Sequence, residues 1–390
     1  MKLPEGTEIL IVGAGLAGST LAIDLARQGR DVLLIEKDKF PRNKVCGEFL
    51  SMEVVDCLTR MGALERFFAL KPATMTRSRF TVQGGKEIEL DLPGKAYGLS
   101  RKRLDLFLFE EARRAGAKTV DAVEVKEVRK EGSNAFTVEI EGKEEKRRQV
   151  VRAQVVIGAY GRRSSLDRRL NRPFFENRSP YVAFKRHFRI GADLRGEREL
   201  KDFVELHTFK GGYCGVSYVE DEIVNVCTLF DRREVSFSLQ EGIEGLKKSS
   251  SALARRLESL VPLDEEELTI AQVPLGLKES GPEEILFVGD AAAMIAPLAG
   301  DGQAMAIEGA LLLGALFEAE GLQVSQEHWE RVWRKEYAWR IRLGQGLQKT
   351  LIMPGLTRGA MAIVDTFPQA GKRLIQWTRS AGKSARTEYL

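Results

Sequence analysis

The sequence predicts an α/β fold: a three-layer ββα (Rossmann-like) domain of the kind that binds a dinucleotide cofactor, an inserted α+β domain with an antiparallel sheet, and a helical C-terminus. A strand, glycine, helix and strand follow one another in residues 8–36, longer alternating strands fill residues 173–275, and a strand again runs into a glycine at residues 285–290. This return implies that the second sheet is inserted into the first domain. The predicted domains are 1–72, 99–172 and 276–325 for the first, 73–98 and 173–275 for the inserted one, and 326–390 for the C-terminal region.

The composition is that of a globular protein and argues against metal or disulfide chemistry. The 390 residues are 43% hydrophobic and 30% charged, enough for a large core and two domains. Four cysteines are scattered without CxxC spacing, and three histidines lie far from them, so no metal site is expected. The chain starts directly on a strand and has no apolar run of about 18 residues. We therefore expect a cytoplasmic protein, and no nucleic-acid partner.

The elements of the first domain follow from apolar spacing. Residues 8–12 are a short β-branched strand, residues 19–27 have helical spacing, and residues 31–36 give a second strand. Residues 73–98 have the pattern of strands and turns, and residues 103–116 that of an amphipathic helix stopped by a glycine.

After residue 116 the predicted elements are first hairpin strands, then the longer strands of the inserted domain, and finally helices. Residues 120–157 alternate as hairpin strands that return to the first sheet at 155–158. In the inserted domain the strands are 182–190, 203–209 and a pair around the turn 220–222. After residue 303 the sequence is mainly helical.

The first loop carries a nucleotide-binding pattern. Gly13, Gly15 and Gly18 have GxGxxG spacing between strand and helix, and Glu36 ends the next strand. Such glycines allow a tight turn and a close approach of pyrophosphate to a helix N-terminus, while the acid can bind ribose hydroxyls. The pattern predicts dinucleotide binding but does not identify the dinucleotide. Lys37, next to Glu36, is also predicted to bind the cofactor.

A second motif, residues 286–310, resembles the flavin loop of the FAD-dependent p-hydroxybenzoate hydroxylase superfamily. A strand delivers a Gly-Asp pair, and a proline and two glycines precede a helix of small residues. The resemblance implies FAD as the cofactor, with Asp290 on a ribityl hydroxyl and the helix start supporting negative charge on the reduced flavin. The cofactor-binding residues implied here are Gly289, Asp290, Pro297, Gly300, Gly302 and Gln303.

A third motif of that superfamily is altered. It normally has an Asp-Gly pair before Arg-Ser, whereas residues 158–164 place Tyr160 at the Asp position. In the hydroxylases this Asp helps to place FAD and the nicotinamide, so we expect NADPH to reduce the free enzyme slowly. The candidate electron donors are therefore NAD(P)H and a separate donor. Arg101 matches the arginine that reaches the flavin in such proteins; a solvated arginine is the alternative.

Residues 41–48, which include KVCGE, resemble a segment of the geranylgeranyl reductases and of some related flavin halogenases and hydroxylases, where it passes beside the isoalloxazine ring. Cys46 and Gly47 are then flavin neighbours. The Cys46 thiol is a candidate catalytic group, with inert packing as the alternative. Arg42 is a candidate contact to flavin or phosphate.

The inserted sheet carries a hairpin, residues 209–227, similar to the substrate-side hairpin of the reductases. There a Tyr-x-Trp-x-Phe-Pro sequence lines the isoprenoid cavity; here Tyr213 is kept, Gly215 stands in the Trp place and the Pro is missing. Tyr213 is the second candidate catalytic residue. His207 and Tyr213 are both candidates to face the substrate, with an ordinary sheet position as the alternative.

The resemblance leaves the reaction open. The first hypothesis is hydroxylation of an alkyl aromatic, polyketide or isoprenoid through a flavin hydroperoxide, and the second is saturation of a carbon-carbon double bond, as in geranylgeranyl reductase. A flavin halogenase is a lesser alternative, because the chain lacks the Trp-x-Trp-x-Ile-Pro segment. A lipid-binding protein without redox function is another.

The C-terminal region is basic and rich in tryptophan. Residues 329–390 hold 12 Lys and Arg against four Asp and Glu, and all four tryptophans of the chain: Trp329, Trp333, Trp339 and Trp377. Such a region can rest on an anionic membrane surface. The alternative is a solvated helix whose apolar side packs on the body. The hypothesis for partners is a hydrophobic small molecule, with peripheral membrane contact through this region.

Overall fold

The structure is a computed structural model that describes residues 3–82, 86–132, 135–191, 200–237, 241–264, 266–281 and 284–351, and positions 353, 355, 357, 359, 366 and 369. Its helices within these ranges are α1 (Leu16–Arg27), α2 (Glu53–Arg60), α3 (Leu64–Ala69), α4 (Arg101–Arg114), α5 (Ser165–Arg169), α6 (Gly242–Ser249), α7 (Ser251–Glu258), α8 (Gly302–Glu320) and α9 (Gln326–Leu351). Its strands are β1 (Gly6–Val12), β2 (Val32–Ile35), β3 (Phe49–Leu50), β4 (Ala73–Thr81), β5 (Glu87–Gly98), β6 (Lys118–Val120), β7 (Val123–Lys130), β8 (Phe136–Gly142), β9 (Arg148–Gly158), β10 (Tyr181–Ile190), β11 (Asp202–Phe209), β12 (Gly212–Tyr218), β13 (Val224–Asp231), β14 (Leu260–Pro262), β15 (Leu268–Ala271), β16 (Gly276–Leu277), β17 (Leu286–Phe287) and β18 (Ala293–Met294).

The first sheet has the order β6-β2-β1-β9-β8-β7, with β17 beside β9. Strands β6, β2, β1, β17 and the end of β9 run parallel, and β7, β8 and β9 form an antiparallel meander. Helices α1, α4 and α8 cover one face of the parallel strands, and the meander covers the other. Because both faces are covered, the last four residues of β1 and all four of β2 are apolar. These three layers confirm the predicted fold class.

The second sheet has the order β14-β10-β13-β12-β11-β4-β5-β3, with β15 beside β10. Its neighbouring strands are antiparallel, except that β11 pairs in parallel with β4. Residues 73–98 and 173–275 therefore contribute to one sheet although residues of the first sheet separate them in sequence.

Some element boundaries differ from the predicted ones for local reasons. Helix α4 starts two residues earlier than predicted because the Ser100 hydroxyl caps it, accepting a hydrogen bond from the Arg103 amide at 3.3 Å. It ends before Gly116, whose φ of +105° is left-handed. Helices α6 and α7 are not predicted by the strand pattern, although Ser250 caps α7 in the same way.

The two sheets meet over an apolar cluster that includes Tyr213 and Leu229 from the second sheet and Leu298 from the loop before α8. Val273, from the segment that leads back to the first sheet, packs in the same cluster. The contact places the hairpin β12–β13 opposite the glycine-rich loops of the first domain.

Candidate functional site

A cavity of about 600 Å³ runs from the loop after β1 to the underside of the second sheet. This volume lies within the usual range of ligand sites. The carboxyl ends of parallel strands border one end, where cofactors bind in doubly wound folds. Side chains of β10 to β13 border the other end. One continuous space can therefore hold a dinucleotide and a substrate side by side.

At the three glycines of the first loop, a side chain would be excluded by different neighbours. A Cβ on Gly13 would lie 2.6 Å from the Ala159 carbonyl oxygen, and a Cβ on Gly18 would lie 1.9 Å from that of Gly13. The protein's own packing therefore requires these two, and Gly18 lies behind the cavity wall. A Cβ on Gly15 would face the cavity and meet only the Lys44 ammonium, at 3.7 Å. Gly15 leaves room for a ligand.

Glu36 lies at the cavity with Lys37 beside it. Its carboxylate accepts hydrogen bonds from the Ala14 amide and from the Arg42 guanidinium, both at 3.0 Å. Arg42 also pairs with Asp105 at 2.6 Å and does not line the cavity. Arg42 is thus placed to orient Glu36 from behind, and not where a direct contact to flavin would need it.

The second motif, residues 286–310, also borders the cavity. Gly289, Asp290, Pro297, Gly300, Gly302 and Gln303 all line it, the last two at the start of α8. A Cβ on Gly289, whose φ is +59°, would lie 2.8 Å from that of Ala17, so only glycine lets the two loops approach.

Two buried polar atoms test whether FAD fits. Gln303 donates to the Phe49 carbonyl at 3.0 Å, which leaves its own Oε1 without a partner among the described residues. The Oδ1 of Asn43 is likewise buried and unpaired there, and both residues line the cavity. Unsatisfied buried acceptors beside a helix N-terminus suit a polar ring system with N–H groups. The residues present therefore fit FAD.

The KVCGE segment lines the cavity between the cofactor end and the second sheet. The Cys46 thiol accepts the Glu48 amide at 3.4 Å and interacts with the Arg101 side chain. Arg101 lines the cavity and pairs with Asp105 at 2.6 Å. Although burial opposes its charge, Asp105 keeps the pKa of Arg101 raised. Cys46 thus has a permanent cation beside it.

Lys44 is a residue that the sequence analysis did not single out, although it opens the KVCGE segment. Its ammonium lies near Gly15. Burial, followed by repulsion from Arg42, lowers the pKa of Lys44 to about 8. A bound pyrophosphate would favour the charged form.

The substrate end is mostly apolar. Tyr213, Gly215 and Leu229 line it from β12 and β13, with Leu206 from β11. Burial raises the pKa of Tyr213 well above its ordinary value, so the phenol stays protonated. His207 does not line this cavity; it binds Glu205 at 3.1 Å within an ion-pair network.

Tyr160, which replaces the Asp of the superfamily motif, lines the cavity. Its hydroxyl donates to the Asp167 carboxylate at 2.7 Å. The same carboxylate pairs with Arg172 at 2.9 Å, both side chains being fully buried. Sequence reasoning missed Asp167 and Arg172, because no local motif marks them.

The C-terminal helix α9 packs on the flavin loop. Arg340 pairs with Asp301, which precedes α8, and the Trp329 indole donates to the Phe287 carbonyl at 2.8 Å. Trp333 is also buried, whereas Trp339 is 64% exposed. Trp377 and most of residues 352–390 lie outside the described residues.

Among the described residues, no three His, Cys, Asp or Glu side chains come together as a metal site. None of the helices described combines the length and the apolar content of a membrane span. The four cysteines are free thiols.

The fold and this cavity define an FAD-dependent oxidoreductase. The chain belongs to the FAD binding domain family of the p-hydroxybenzoate hydroxylase superfamily, since the family's sequence profile matches residues 6–321. The predicted superfamily and the predicted cofactor are therefore confirmed.

Relatives in this superfamily have different reactions. The chain is 27% identical to menaquinone reductase of Mycobacterium tuberculosis over 95% of its own length and 86% of that protein. It is 27% identical to digeranylgeranylglycerophospholipid reductase 1 of Methanopyrus kandleri, over 85% and 88% of the two chains. The myxobacterial chondrochloren halogenase CndH has a TM-score of 0.75 and 20% identity, over 95% of this chain and 91% of that one. That likeness concerns the fold alone.

Proposed function

We propose that this protein is an FAD-dependent reductase that saturates carbon-carbon double bonds in a long, apolar, prenyl-type chain. The observation that carries the proposal is the continuous cavity, in which the KVCGE segment separates the cofactor end from an apolar end under the second sheet. Menaquinone reductase and digeranylgeranylglycerophospholipid reductase 1 each match most of this chain, and their names support a reduction.

Saturation adds one electron pair and two protons across the double bond. FAD, when bound, supplies the electron pair. The chain's own residues must exclude water and hold a proton near the substrate carbons. Tyr213, protonated and buried at the apolar end, is the group we assign to hold it, with the Cys46 thiol as the second candidate.

Hydroxylation, the first hypothesis from the sequence, and halogenation are the competing reactions. They differ from reduction in what the product gains. The FAD-loaded protein should be reduced with dithionite without oxygen and mixed with a prenyl compound that has no quinone ring, such as geranylgeraniol. A product with two more hydrogens per double bond, formed without oxygen, supports reduction. A product with an added oxygen or halogen atom, formed only when oxygen is admitted, contradicts it.

The apolar end offers a direct test through Gly215. A Cβ there would meet neighbours at 3.7 Å or more, so a larger side chain can be accepted by the sheet and would point into the cavity. We expect Gly215→Leu to keep FAD but to weaken binding of a twenty-carbon prenyl chain by about tenfold or more, because each excluded methylene contributes about 0.8 kcal/mol.

A five-carbon prenyl compound is the control, since it needs less of the cavity. Titrations followed by the flavin spectrum give both affinities. Equal affinity of Gly215→Leu and the unchanged protein for the long chain would mean that the chain binds elsewhere.

The electron donor is expected not to be NADPH acting alone. Tyr160 donates its hydroxyl to Asp167 and offers no carboxylate to the cavity, so the nicotinamide lacks the group that the hydroxylases use. Anaerobic stopped-flow mixing should show slow bleaching of the flavin by NADPH and fast bleaching by dithionite. Equally fast reduction by both would contradict this expectation, and with it the proposal of a separate donor.

The basic C-terminal region is proposed to touch an anionic membrane surface from which an apolar substrate is taken up. The exposed Trp339 on α9 supports this, and the buried Trp329 and Trp333 show how the same helix is held on the body.

A further inference from the structure

Two of the four cysteines meet at the wall of the cavity. Cys46 lies in the KVCGE segment and Cys227 in β13; both line the cavity, and both are partly exposed. The backbone amide of Cys46 hydrogen-bonds to the Cys227 thiol, so the two residues are neighbours on facing elements. Both are free thiols in the structure. Two adjacent thiols can lose an electron pair together by forming one S–S bond.

The register of the second sheet places Cys227 on the face that meets the KVCGE segment. Cys227 lies directly opposite Lys185 of β10, and residues paired in this way point to the same face. The Lys185 ammonium donates to the Lys44 carbonyl at 3.3 Å. Asn225 precedes Cys227 by two residues and shares its face, and its amide donates to the Cys46 carbonyl at 3.1 Å. These bonds hold the backbone around Cys46 against the strand that carries Cys227.

Cations flank the two thiols. The Arg101 side chain hydrogen-bonds to the Cys46 thiol, and Lys185 lies beside Cys227. A neighbouring cation favours the thiolate, which is the attacking form of a cysteine. Burial, followed by the nearby Cys46 thiol, raises the pKa of Cys227, and Lys185 opposes this rise. The Cys46 sulfur is therefore the attacking atom, and Cys227 provides the second sulfur.

The other two cysteines have different surroundings. Cys214 of β12 points to the opposite face of the second sheet, where it is fully buried in an apolar cluster with Val216 and Phe230. Cys57 of α2 is buried in the core of the first domain. Neither lines the cavity, and burial raises the pKa of both thiols. Thiols in such surroundings are unreactive, which makes these two residues suitable controls.

We propose that Cys46 and Cys227 form a redox-active pair that passes electrons from an external dithiol to FAD. As the S–S bond forms, the two thiols lose one electron pair and two protons, which the flavin takes up. An external dithiol then exchanges with the disulfide, restores both thiols and leaves as a disulfide itself. The inference rests on the proposed function, because it identifies the chemical class of the separate electron donor proposed there.

An anaerobic redox titration tests the pair without any prenyl substrate. The FAD-loaded, full-length protein is oxidised with diamide, freed of it, and titrated with dithionite while the flavin spectrum is recorded. We expect the protein to take up two electron pairs per FAD, one for the flavin and one for the disulfide. Cys46→Ser and Cys227→Ser should each take up one pair. Cys214→Ala, on the opposite face of the sheet, should still take up two.

Two further measurements include the unchanged protein and so do not depend on how the variants fold. After oxidation, peptide mapping should show Cys46 joined to Cys227 and two of the four thiols remaining. Dihydrolipoamide, used as the dithiol probe, should then bleach the flavin in the absence of oxygen. Both serine variants should lose this reaction and keep the bleaching by dithionite.

Uptake of a single electron pair by the oxidised, unchanged protein overturns this inference and leaves the proposed reduction of prenyl chains intact. A disulfide that involves Cys57 or Cys214 overturns it as well. So does a disulfide between Cys46 and Cys227 that accepts no second electron pair, because such a bond does not exchange electrons with the flavin. Uptake of both pairs by a protein that leaves prenyl chains unchanged contradicts the proposed function and supports the thiol pair.

Discussion

A Gly15→Val variant is expected to fold but to lose FAD. In the protein itself a Cβ at residue 15 meets nothing closer than the Lys44 ammonium, and the backbone φ of −79° is open to any residue. The side chain would instead occupy the space of the pyrophosphate at the start of α1. Since overpacking a filled contact costs roughly 1–3 kcal/mol, the affinity for FAD should fall by about 10- to 100-fold.

Flavin content of the purified protein, and titration of the apoprotein with FAD, measure this loss. Gly142→Val is the matched control, because Gly142 ends β8 with open space around its Cβ position. Gly18→Ala should behave differently from both, since its Cβ would lie 1.9 Å from the Gly13 carbonyl oxygen and the fold itself should suffer. A Gly15→Val protein with a full complement of FAD would place the pyrophosphate elsewhere.

Much of the first domain could be predicted because its signals are local. The glycines of the first loop, Glu36 and the Gly289–Asp290 pair each stand next to the strand that delivers them, and strands of a parallel sheet end at one edge. For these residues, the position in the sequence is therefore enough to predict that they lie close together in the structure. The domain boundaries, for which the two sheets are only a guide, stay a prediction.

The rest of the site depends on contacts between distant residues. Arg42 stands in a promising motif, but its partner Asp105 lies 63 residues later, and this pair turns its guanidinium behind the cavity wall. The place of Gln348 beside Tyr181 depends on how α9 packs against residues 174–181. No periodicity or motif encodes such contacts, because they are set by tertiary packing.

Glu48 joins the two halves of the site through buried charges. It ends the KVCGE segment with a φ of +55° and is fully buried. Its carboxylate pairs with Lys185 and binds His187 at 2.7 Å, both from β10, and it accepts the Arg101 amide at 2.7 Å. The KVCGE segment, the second sheet and the start of α4 are thus fixed to one another by one side chain.

Replacing Glu48 by Gln is expected to lower the free energy of unfolding by about 3–5 kcal/mol, because Lys185 would keep its buried charge without a counter-ion. Urea unfolding at neutral pH measures the loss. The double variant Glu48→Gln/Lys185→Met should lose less, since the uncompensated charge is gone. Glu111→Gln is the control: the partners of Glu111, Arg66 and Arg114, are half exposed, and surface pairs contribute about 0–1 kcal/mol.

The free energy of unfolding that is lost in Glu48→Gln should also depend on pH and become smaller as the pH falls. Burial alone would raise the pKa of Glu48, but the charge of Lys185 and the hydrogen bond from His187 hold it below its ordinary value of 4.5. On acidification, Glu48 therefore takes up a proton in the unfolded chain at a higher pH than in the folded protein. Its stabilisation of the fold is complete above the ordinary pKa and is lost as the pH falls through the pKa of Glu48 in the folded protein. The difference in unfolding free energy between the unchanged protein and Glu48→Gln should be constant near neutral pH and shrink below about pH 4.5. A difference that grows on acidification would mean that Glu48 is protonated in the folded protein, and the buried ion pair with Lys185 would have to be abandoned.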